Sequence, residues 1–414
     1  MTHEIILWVI IAILVSDFLF ESYLDYLNST RMSKKLPEEV KGIYDAKKYR
    51  KQQEYQRENR RFGFVSGTFS FLLILAIFLF QGFAYVDEIA WNITSSPILA
   101  ALIFFGILML ASDILTTPFS VYHTFVIEEK YGFNKTTPTT FVFDKIKGWF
   151  LSALIGGGLL ALIIFIYQKT QNMFWIYAWV VVTLFSIFMT LFYSEIIVPM
   201  FNKQRPLEKG ELRDLIEKFA GKVKFRLENI FIIDGSKRST KANAYFTGFG
   251  KKKRIVLYDT LTREMENEEI VSVLAHEIGH YKKKHVVEGL VISIINTGLI
   301  LFIFSLFIDN QNLSKAMGVE EPNFHISLVA FGILYSPVSF ILGIFMNKLS
   351  RKNEYQADAF AAVHHKPEKL ESALKKLSVK NLSNLTPHPA YVFFNYSHPP
   401  LLKRLAHLKK FEDK

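Results

Sequence analysis

No cysteine occurs among the 414 residues of this chain. Its absence excludes disulfide bridges, thiolate metal sites and cysteine nucleophiles, so any bound metal ion must use nitrogen and oxygen ligands. Charge is also scarce, because only 21% of the residues are charged, whereas 50% are hydrophobic and 39 are phenylalanine. The chain is too apolar for an ordinary soluble protein of this length and too charged to lie entirely within a membrane.

The formal net charge is +11, which can attract nucleic acid. In a membrane protein, however, an excess of Lys and Arg is expected in the cytoplasmic loops. We therefore expect a lipid bilayer, and not nucleic acid, as the partner of the basic surface.

Seven segments are apolar over the roughly 20 residues that a membrane-spanning helix needs. They are 4–26, 62–83, 97–117, 149–167, 174–196, 286–308 and 326–349. Asp17, Asp113 and Glu195 interrupt these segments, and a carboxylate is costly in lipid but acceptable on an interior wall that contacts water. A contact between helices through a protonated carboxyl group explains any one of them equally well.

The charges between the spans predict the orientation. Residues 28–61 carry eleven Lys or Arg against five acids, whereas 84–96 has two acids and no base, and 309–325 has one lysine against three acids. By the positive-inside rule the first loop is cytoplasmic and the other two lie outside. This places the N-terminus outside and the C-terminus inside, in agreement with an odd number of spans.

Residues 203–285 form the largest soluble insert. A helix is predicted by the spacing of Leu212, Leu215, Ile216 and Phe219. Three strands follow, at 229–234, 243–246 and 254–258, and the last two are expected to form a hairpin around the glycine turn at 248–250. Leucines at helical spacing also predict amphipathic helices after residue 365 and after residue 400.

The insert ends in His276-Glu277-Ile278-Gly279-His280, the pattern H-E-x-x-H. On a helix the two histidines lie on one face and can share a metal ion, while Glu277 is placed to activate a water molecule at that ion. Chance matches to this pattern occur, and histidines at this spacing are common in surfaces and cores.

A catalytic zinc ion usually has a third protein ligand. Glu354, just after the seventh span, is one candidate, and Asp358 one turn later can accept a hydrogen bond from a ligand histidine. More commonly, acidic residues in such a position belong to a solvated helix end with mixed charges and do not bind a metal. The other candidate ligands are His285, His364, His365, His388 and His398. His285 is five residues beyond His280, so on a continuous helix it faces away, and we interpret it as an interfacial residue.

His276–His280 followed, two spans later, by Asn353-Glu354-Tyr355-Gln356-Ala357-Asp358 resembles the type I CAAX prenyl endoproteases, which are integral-membrane zinc metalloproteases of the gluzincin kind. Further stretches are similar to the family, so that the resemblance covers nearly the whole chain. They are Tyr131–Asn134, Ile197–Lys203, Asn243-Ala244-Tyr245 and Ser397-His398-Pro399-Pro400 with Arg404.

The resemblance implies the roles of individual residues. His276, His280 and Glu354 would be the ligands of one Zn²⁺ per chain, with Glu277 as general base and Asp358 behind the ligands. Asn243 and Ala244 would bind the substrate, and His398 and Arg404 would contact its carbonyl or oxyanion.

The resemblance also implies a mainly α-helical integral-membrane fold. Seven transmembrane helices would surround an intramembrane chamber, with a small cytoplasmic α+β zinc-protease domain at its end. The expected regions are helices 1–5 in 1–202, the metalloprotease region in 203–285, helices 6 and 7 in 286–349, and a cytoplasmic C-terminal region in 350–414.

The expected function is a zinc endopeptidase that removes the three residues after a prenylated C-terminal cysteine. Short outer loops and a C-terminus without a dilysine signal favour a bacterial member; the membrane would be the inner membrane in a bacterium and the endoplasmic reticulum in a eukaryote. One alternative is a quality-control protease for misfolded or stalled membrane proteins. Another is a transporter or lipid-handling protein with a non-catalytic metal site.

Overall fold

Long apolar helices make up the first half of the chain. The computed structural model describes residues 1–32, 36, 38, 41–225, 229–247 and 254–411. Up to residue 202 the helices are α1 (His3–Thr30), α2 (Ala46–Leu79), α3 (Gly82–Ile93), α4 (Pro97–Tyr122), α5 (Pro138–Leu151), α6 (Gly158–Thr170), α7 (Phe174–Ile196) and α8 (Val198–Phe201). Ser96 and Thr137 cap α4 and α5, and each is followed by a proline. Proline suits the first turn of a helix because a backbone N–H at that position would have no partner within the helix.

Within the described residues, six helical runs are long and apolar enough to cross a membrane. One of them, Pro138–Phe201, is 64 residues long and holds two of the predicted spans. The chain turns back within this run at Gln171, which has a φ of 43°, and α6 and α7 then pack against each other. The mainly α-helical membrane fold is thus confirmed, whereas the count of seven spans depends on dividing this run. The predicted outer segment 84–96 is largely the helix α3.

Few side chains of the spans are buried. Between 6% and 17% of the residues in each spanning window are buried within the protein, a low share for helices packed into a solid bundle. The three acids predicted within spans each have a polar partner, namely Asp17 with Ser336, Asp113 with Lys145 and Trp149, and Glu195 with Arg254. Spans with few buried side chains, and with acidic residues that have polar partners, are compatible with helices that surround a chamber.

A small four-stranded sheet follows the first membrane helices. Its elements, with the helices between and after them, are β1 (Gln204–Pro206), α9 (Glu211–Lys222), β2 (Asn229–Ile233), β3 (Ala244–Thr247), β4 (Arg254–Tyr258), α10 (Asp259–Glu264) and α11 (Asn267–Lys282). The strand order is β1-β2-β4-β3; β2 and β4 are parallel, and the two outer pairs are antiparallel. The predicted β3–β4 hairpin is confirmed, with Ala244 opposite Leu257, while its predicted glycine turn at 248–250 lies outside the described residues.

The rest of the chain returns to the membrane and then covers the sheet domain. Its helices are α12 (His285–Ser305), α13 (Gln311–Ala316), α14 (Phe324–His364), α15 (Pro367–Lys380), α16 (Pro389–Asn395) and α17 (Leu401–Leu408). At 1.5 Å per residue, the 41 residues of α14 extend about 60 Å. This helix is continuous across the predicted boundary at 349/350, so it carries Glu354 and Asp358 on a rigid extension of a membrane span.

The core of the soluble part lies between the sheet and α9, α11 and α15. The central residues of α11, Ile270–Ala275, are all buried, which explains the apolar run that precedes the histidines. Because these central turns are buried, α11 is held firmly at the centre of this domain.

Candidate metal centre

The helix α11 is fixed at its start by reciprocal side-chain caps. Glu266 accepts a hydrogen bond from the backbone of Glu269, whose side chain accepts one from the backbone N–H of Glu266. This capping box satisfies amide groups that would otherwise lack partners in the first turn. The helix then places His276 and His280 one turn apart, and their Nε2 atoms lie 3.2 Å from each other.

The backbones of α11 and α14 touch at Gly279. A Cβ atom added at this residue would lie 3.1 Å from both the Cα and the carbonyl oxygen of Ala357. Only glycine leaves room for this approach. The close packing brings Glu354, one turn before Ala357, to the two histidines.

His276, His280 and Glu354 have the geometry of a metal site. The Nε2 atom of His276 lies 3.5 Å from Oε2 of Glu354, and that of His280 lies 3.3 Å from Oε1. For a tetrahedral ion with bonds of 2.0–2.1 Å, neighbouring ligand atoms are about 3.3–3.4 Å apart. Oε2 of Glu354 is also buried without a hydrogen-bond partner, a costly state for a carboxylate. The three residues therefore fit a divalent cation.

Asp358 supports the first histidine from behind. Its Oδ1 lies 2.9 Å from Nδ1 of His276, and Arg404 donates to both carboxylate oxygens, at 2.6 and 2.9 Å. Burial alone lowers the pKa of His276, but the interactions with the carboxylates of Asp358 and Glu354 outweigh it and raise the pKa to about 9. The space between these carboxylates therefore favours positive charge.

Arg404 and His398 reach the site from the C-terminal region. Nη1 of Arg404 lies 3.5 Å from Oε2 of Glu354, and Nδ1 of His398 lies 3.0 Å from Oε1. His398 is 66% exposed, so it is accessible to a substrate. The guanidinium of Arg351 donates to the carbonyls of Val392 and Tyr396 and so holds the chain at the end of α16, where Tyr396 lies two residues before His398.

The structure contradicts the interpretation of His285 as a residue that faces away. Its Nδ1 lies 3.0 Å from Nδ1 of His280, and the residue is buried. The expectation assumed a continuous helix, but α11 ends at Lys282, and Lys284 has a φ of 61°. This break starts α12 at His285 and turns the residue back towards the metal centre. No spacing rule applied to a single helix predicts such a contact.

The remaining histidines considered as third ligands lie elsewhere. His364 contacts the carbonyl of Phe360, His365 contacts Glu268, and His388 caps α16. Of the candidates from the sequence, Glu354 is the residue that joins His276 and His280.

A cavity of about 500 Å³ opens at these residues. Glu277 is half-buried in its wall beside the two histidines, and Asn243, Ala244, His398 and Arg404 also line it. Among the described strands, β3 pairs with β4 alone, and Ala244 begins β3 directly at the cavity. A sheet edge, a carboxylate and a metal-ligand triad therefore share one opening.

Two family models match the chain, one after the other. The model described as CAAX prenyl protease N-terminal, five membrane helices, matches residues 25–203, and that of peptidase family M48 matches residues 206–412. The CAAX prenyl protease 1 homolog of Oryza sativa is 37% identical, over 98% of this chain and 97% of the relative. CAAX prenyl protease 1 of Saccharomyces cerevisiae is 35% identical, over 97% and 94%.

A similar structure has also been solved. The crystal structure of S. mikatae Ste24p matches with a TM-score of 0.92 at 35% identity and covers 97% of this chain and 99% of that chain. The human CAAX prenyl protease 1 homolog is 34% identical over 90% of this chain and 88% of the relative. These relatives are eukaryotic, so they do not support the expectation of a bacterial member.

Proposed function

Because the chain belongs to the CAAX prenyl protease 1 family of M48 peptidases and is therefore a multi-pass membrane metalloprotease, we propose that it removes the last three residues of proteins with a prenylated C-terminal cysteine. The observation that carries the proposal is the half-buried Glu277 beside the histidine–glutamate triad, in a cavity bordered by the edge of β3 that pairs with no described strand. These are the parts that hydrolysis of an extended peptide requires.

The proposed metal is a single Zn²⁺ held by His276, His280 and Glu354. Nitrogen and carboxylate donors in a set of three are typical of catalytic zinc. When bound, the ion supplies Lewis acidity, which polarises the substrate carbonyl and makes a water molecule more acidic. Asp358 accepts the Nδ1–H of His276 and so keeps the Nε2 lone pair directed at the ion.

Proton transfer is assigned to Glu277. Its carboxylate accepts a proton from the attacking water and passes it to the leaving amine as the peptide bond breaks. His398, exposed at the cavity, and Nη1 of Arg404 donate hydrogen bonds to the oxygen that becomes negative. The other nitrogens of Arg404 remain on Asp358, so this residue both supports the metal site and contacts the reacting carbonyl.

The peptide is proposed to bind as an additional strand beside β3. Its backbone would pair with the edge that begins at Asn243 and Ala244, as in other cases of strand addition. The adjoining spans would receive the apolar prenyl group in the chamber that they surround.

The proposed orientation has the N-terminus outside and the metal centre on the cytoplasmic side, as the loop charges indicate. The eukaryotic relatives favour the membrane of the endoplasmic reticulum. CaaX tails are made in the cytoplasm, so a cytoplasmic metal centre suits this substrate.

The test is cleavage of a farnesylated CaaX peptide by the detergent-purified full chain, with zinc measured in the same samples. Wild type should cut before the last three residues, and Glu277→Gln should keep its zinc while losing at least about 10²-fold in rate. Glu268→Gln, on the same helix but paired with His365, is the matched control and should retain the activity. If zinc-loaded wild type cuts misfolded membrane proteins but not this peptide, the prenylated substrate is wrong and the protein is a quality-control protease.

A further inference from the structure

The second histidine of the metal site makes a hydrogen bond that differs from that of the first. His276 is held by the carboxylate of Asp358, whereas Nδ1 of His280 lies 3.0 Å from Nδ1 of another imidazole, that of His285. The far nitrogen of His285, Nε2, lies 2.9 Å from Oε1 of Gln356. Three side chains from α11, α12 and α14 thus form one hydrogen-bonded row.

The direction of the hydrogen bonds follows from the amide of Gln356. Its Oε1 is an acceptor only, so Nε2 of His285 must carry the hydrogen. In a neutral imidazole the other nitrogen, Nδ1, then has a lone pair and accepts. Nδ1 of His280 donates to it, which leaves the Nε2 lone pair of His280 directed at His276 and Glu354, where the metal is proposed.

The opposite direction is incompatible with that metal site. If Nδ1 of His285 donated, Nδ1 of His280 would accept, and a neutral His280 would carry its hydrogen on Nε2, between the ligand atoms. A metal ligand must present an unprotonated nitrogen. The orientation of Gln356 therefore selects the tautomer of His280 that can bind a metal.

We propose that His285 and Gln356 are positioning residues that orient His280 and hold it in its metal-binding tautomer. The proposal rests on the proposed metal site and adds two residues that the H-E-x-x-H pattern does not contain. The break at Lys284 makes it possible, because it places the first residue of a membrane span behind a ligand. Gln356 follows Glu354 by two residues, so α14 supplies both a ligand and the end of the hydrogen-bonded row.

The test measures metal affinity and does not need a substrate. The full chain in detergent is stripped of metal, and its affinity for Zn²⁺ is determined by competition with a chelator. His285→Leu removes the acceptor and should weaken binding about 10–100-fold. In His285→Asn, Oδ1 is separated from the backbone by the same number of bonds as Nδ1 of histidine and can accept the same hydrogen bond. This variant should therefore bind zinc more tightly than His285→Leu.

Gln356 offers a second matched pair. Gln356→Glu keeps an acceptor for the hydrogen on Nε2 of His285 and should bind zinc within a few-fold of wild type, whereas Gln356→Leu should bind more weakly. The absorption bands of the Co²⁺-loaded protein, which respond to ligand geometry, should shift in His285→Leu and resemble wild type in His285→Asn. The unfolding temperature of the metal-free variants shows whether they fold.

Equal affinities for His285→Leu and wild type would overturn the proposal. Equal weakening in His285→Asn and His285→Leu would overturn it too, since that result means that the imidazole only fills space. If wild type binds no metal, the proposed metal site itself is wrong. If wild type binds zinc tightly but does not cleave prenylated peptides, only the proposed substrate is wrong. The two failures are therefore distinguishable.

Discussion

Gly279 and Ala357 bring the two halves of the proposed metal centre into contact. A Cβ atom at Gly279 would lie 3.1 Å from the backbone of Ala357, closer than carbon atoms pack without displacement. One helix carries the histidines and the other carries Glu354 and Asp358. The separation of these backbones therefore sets the distance between the ligands.

Gly279→Ala should separate α11 from α14 and weaken metal binding by at least about tenfold, since ligand positions tolerate only about 0.5 Å of displacement. Zinc content and chelator competition measure this effect. Gly221→Ala, in α9, is the matched control, because an added Cβ there meets nothing within 4 Å. Tight zinc binding by Gly279→Ala would show that the contact does not set the ligand distances.

Asp358→Asn should lower zinc affinity about 10–100-fold, the usual effect of removing the partner of a metal-bound histidine. The charge on Asp358 also balances the buried guanidinium of Arg404, so the unfolding temperature should fall as well. Affinity by chelator competition and thermal unfolding are the two measurements. Unchanged zinc affinity would mean that His276 does not depend on this carboxylate.

His398→Ala should lose activity about 10²–10³-fold, as expected when one donor to a developing oxyanion is removed, while the zinc content is retained. His398 is largely exposed, so the free energy of unfolding should change by less than about 0.5 kcal/mol. The rate with a prenylated peptide, at full zinc loading, is the measurement. His3→Ala, another exposed histidine, serves as control; zinc loss in His398→Ala would indicate a ligand role instead.

Much of this site could be predicted from the sequence, because its main parts are local. The i, i+4 spacing of His276 and His280 specifies a shared face on any helix, and the i, i+4 spacing of Glu354 and Asp358 does the same. That these two pairs meet is a tertiary relationship, and only the resemblance to a known family indicated it.

The parts that could not be predicted depend on breaks and continuities between elements. His285 turns towards His280 because Lys284 adopts a positive φ, a conformation that a lysine-rich stretch does not indicate. Conversely, α14 continues through Asp358 without a break, beyond the span that hydropathy predicts at 326–349. Both features concern how a membrane span joins the metal centre.

The edge of β3 that pairs with no described strand predicts how the cleavage of peptide substrates depends on their backbone N–H groups. In a series of prenylated peptides, each with one backbone nitrogen methylated, alternate positions should lose about 5–10-fold in kcat/KM, because every second residue of an added strand donates to its neighbour. The intervening positions are the internal control. Equal tolerance of methylation at all positions would contradict binding by strand addition.

Glu269 links the stability of the metal helix to pH. It is buried, and burial raises its pKa, but hydrogen bonds from Lys376, Ser372 and the backbone of Glu266 lower the pKa below its usual value. A carboxylate whose pKa is lower in the folded state stabilises the fold above its unfolded pKa of about 4.3. That contribution is lost as the pH falls through the folded pKa.

Glu269→Gln removes the charge and should cost about 1–2 kcal/mol at pH 7, from the lost interaction with Lys376 and weaker capping of α11. Thermal unfolding of both proteins from pH 7 to pH 3 is the measurement, and the two unfolding temperatures should converge on acidification, because protonated glutamic acid and glutamine are both neutral. Glu217→Gln, whose partner Arg213 is partly exposed, should change stability by less than about 0.5 kcal/mol. A difference for Glu269→Gln that stays constant down to pH 3 would assign its effect to packing and not to charge.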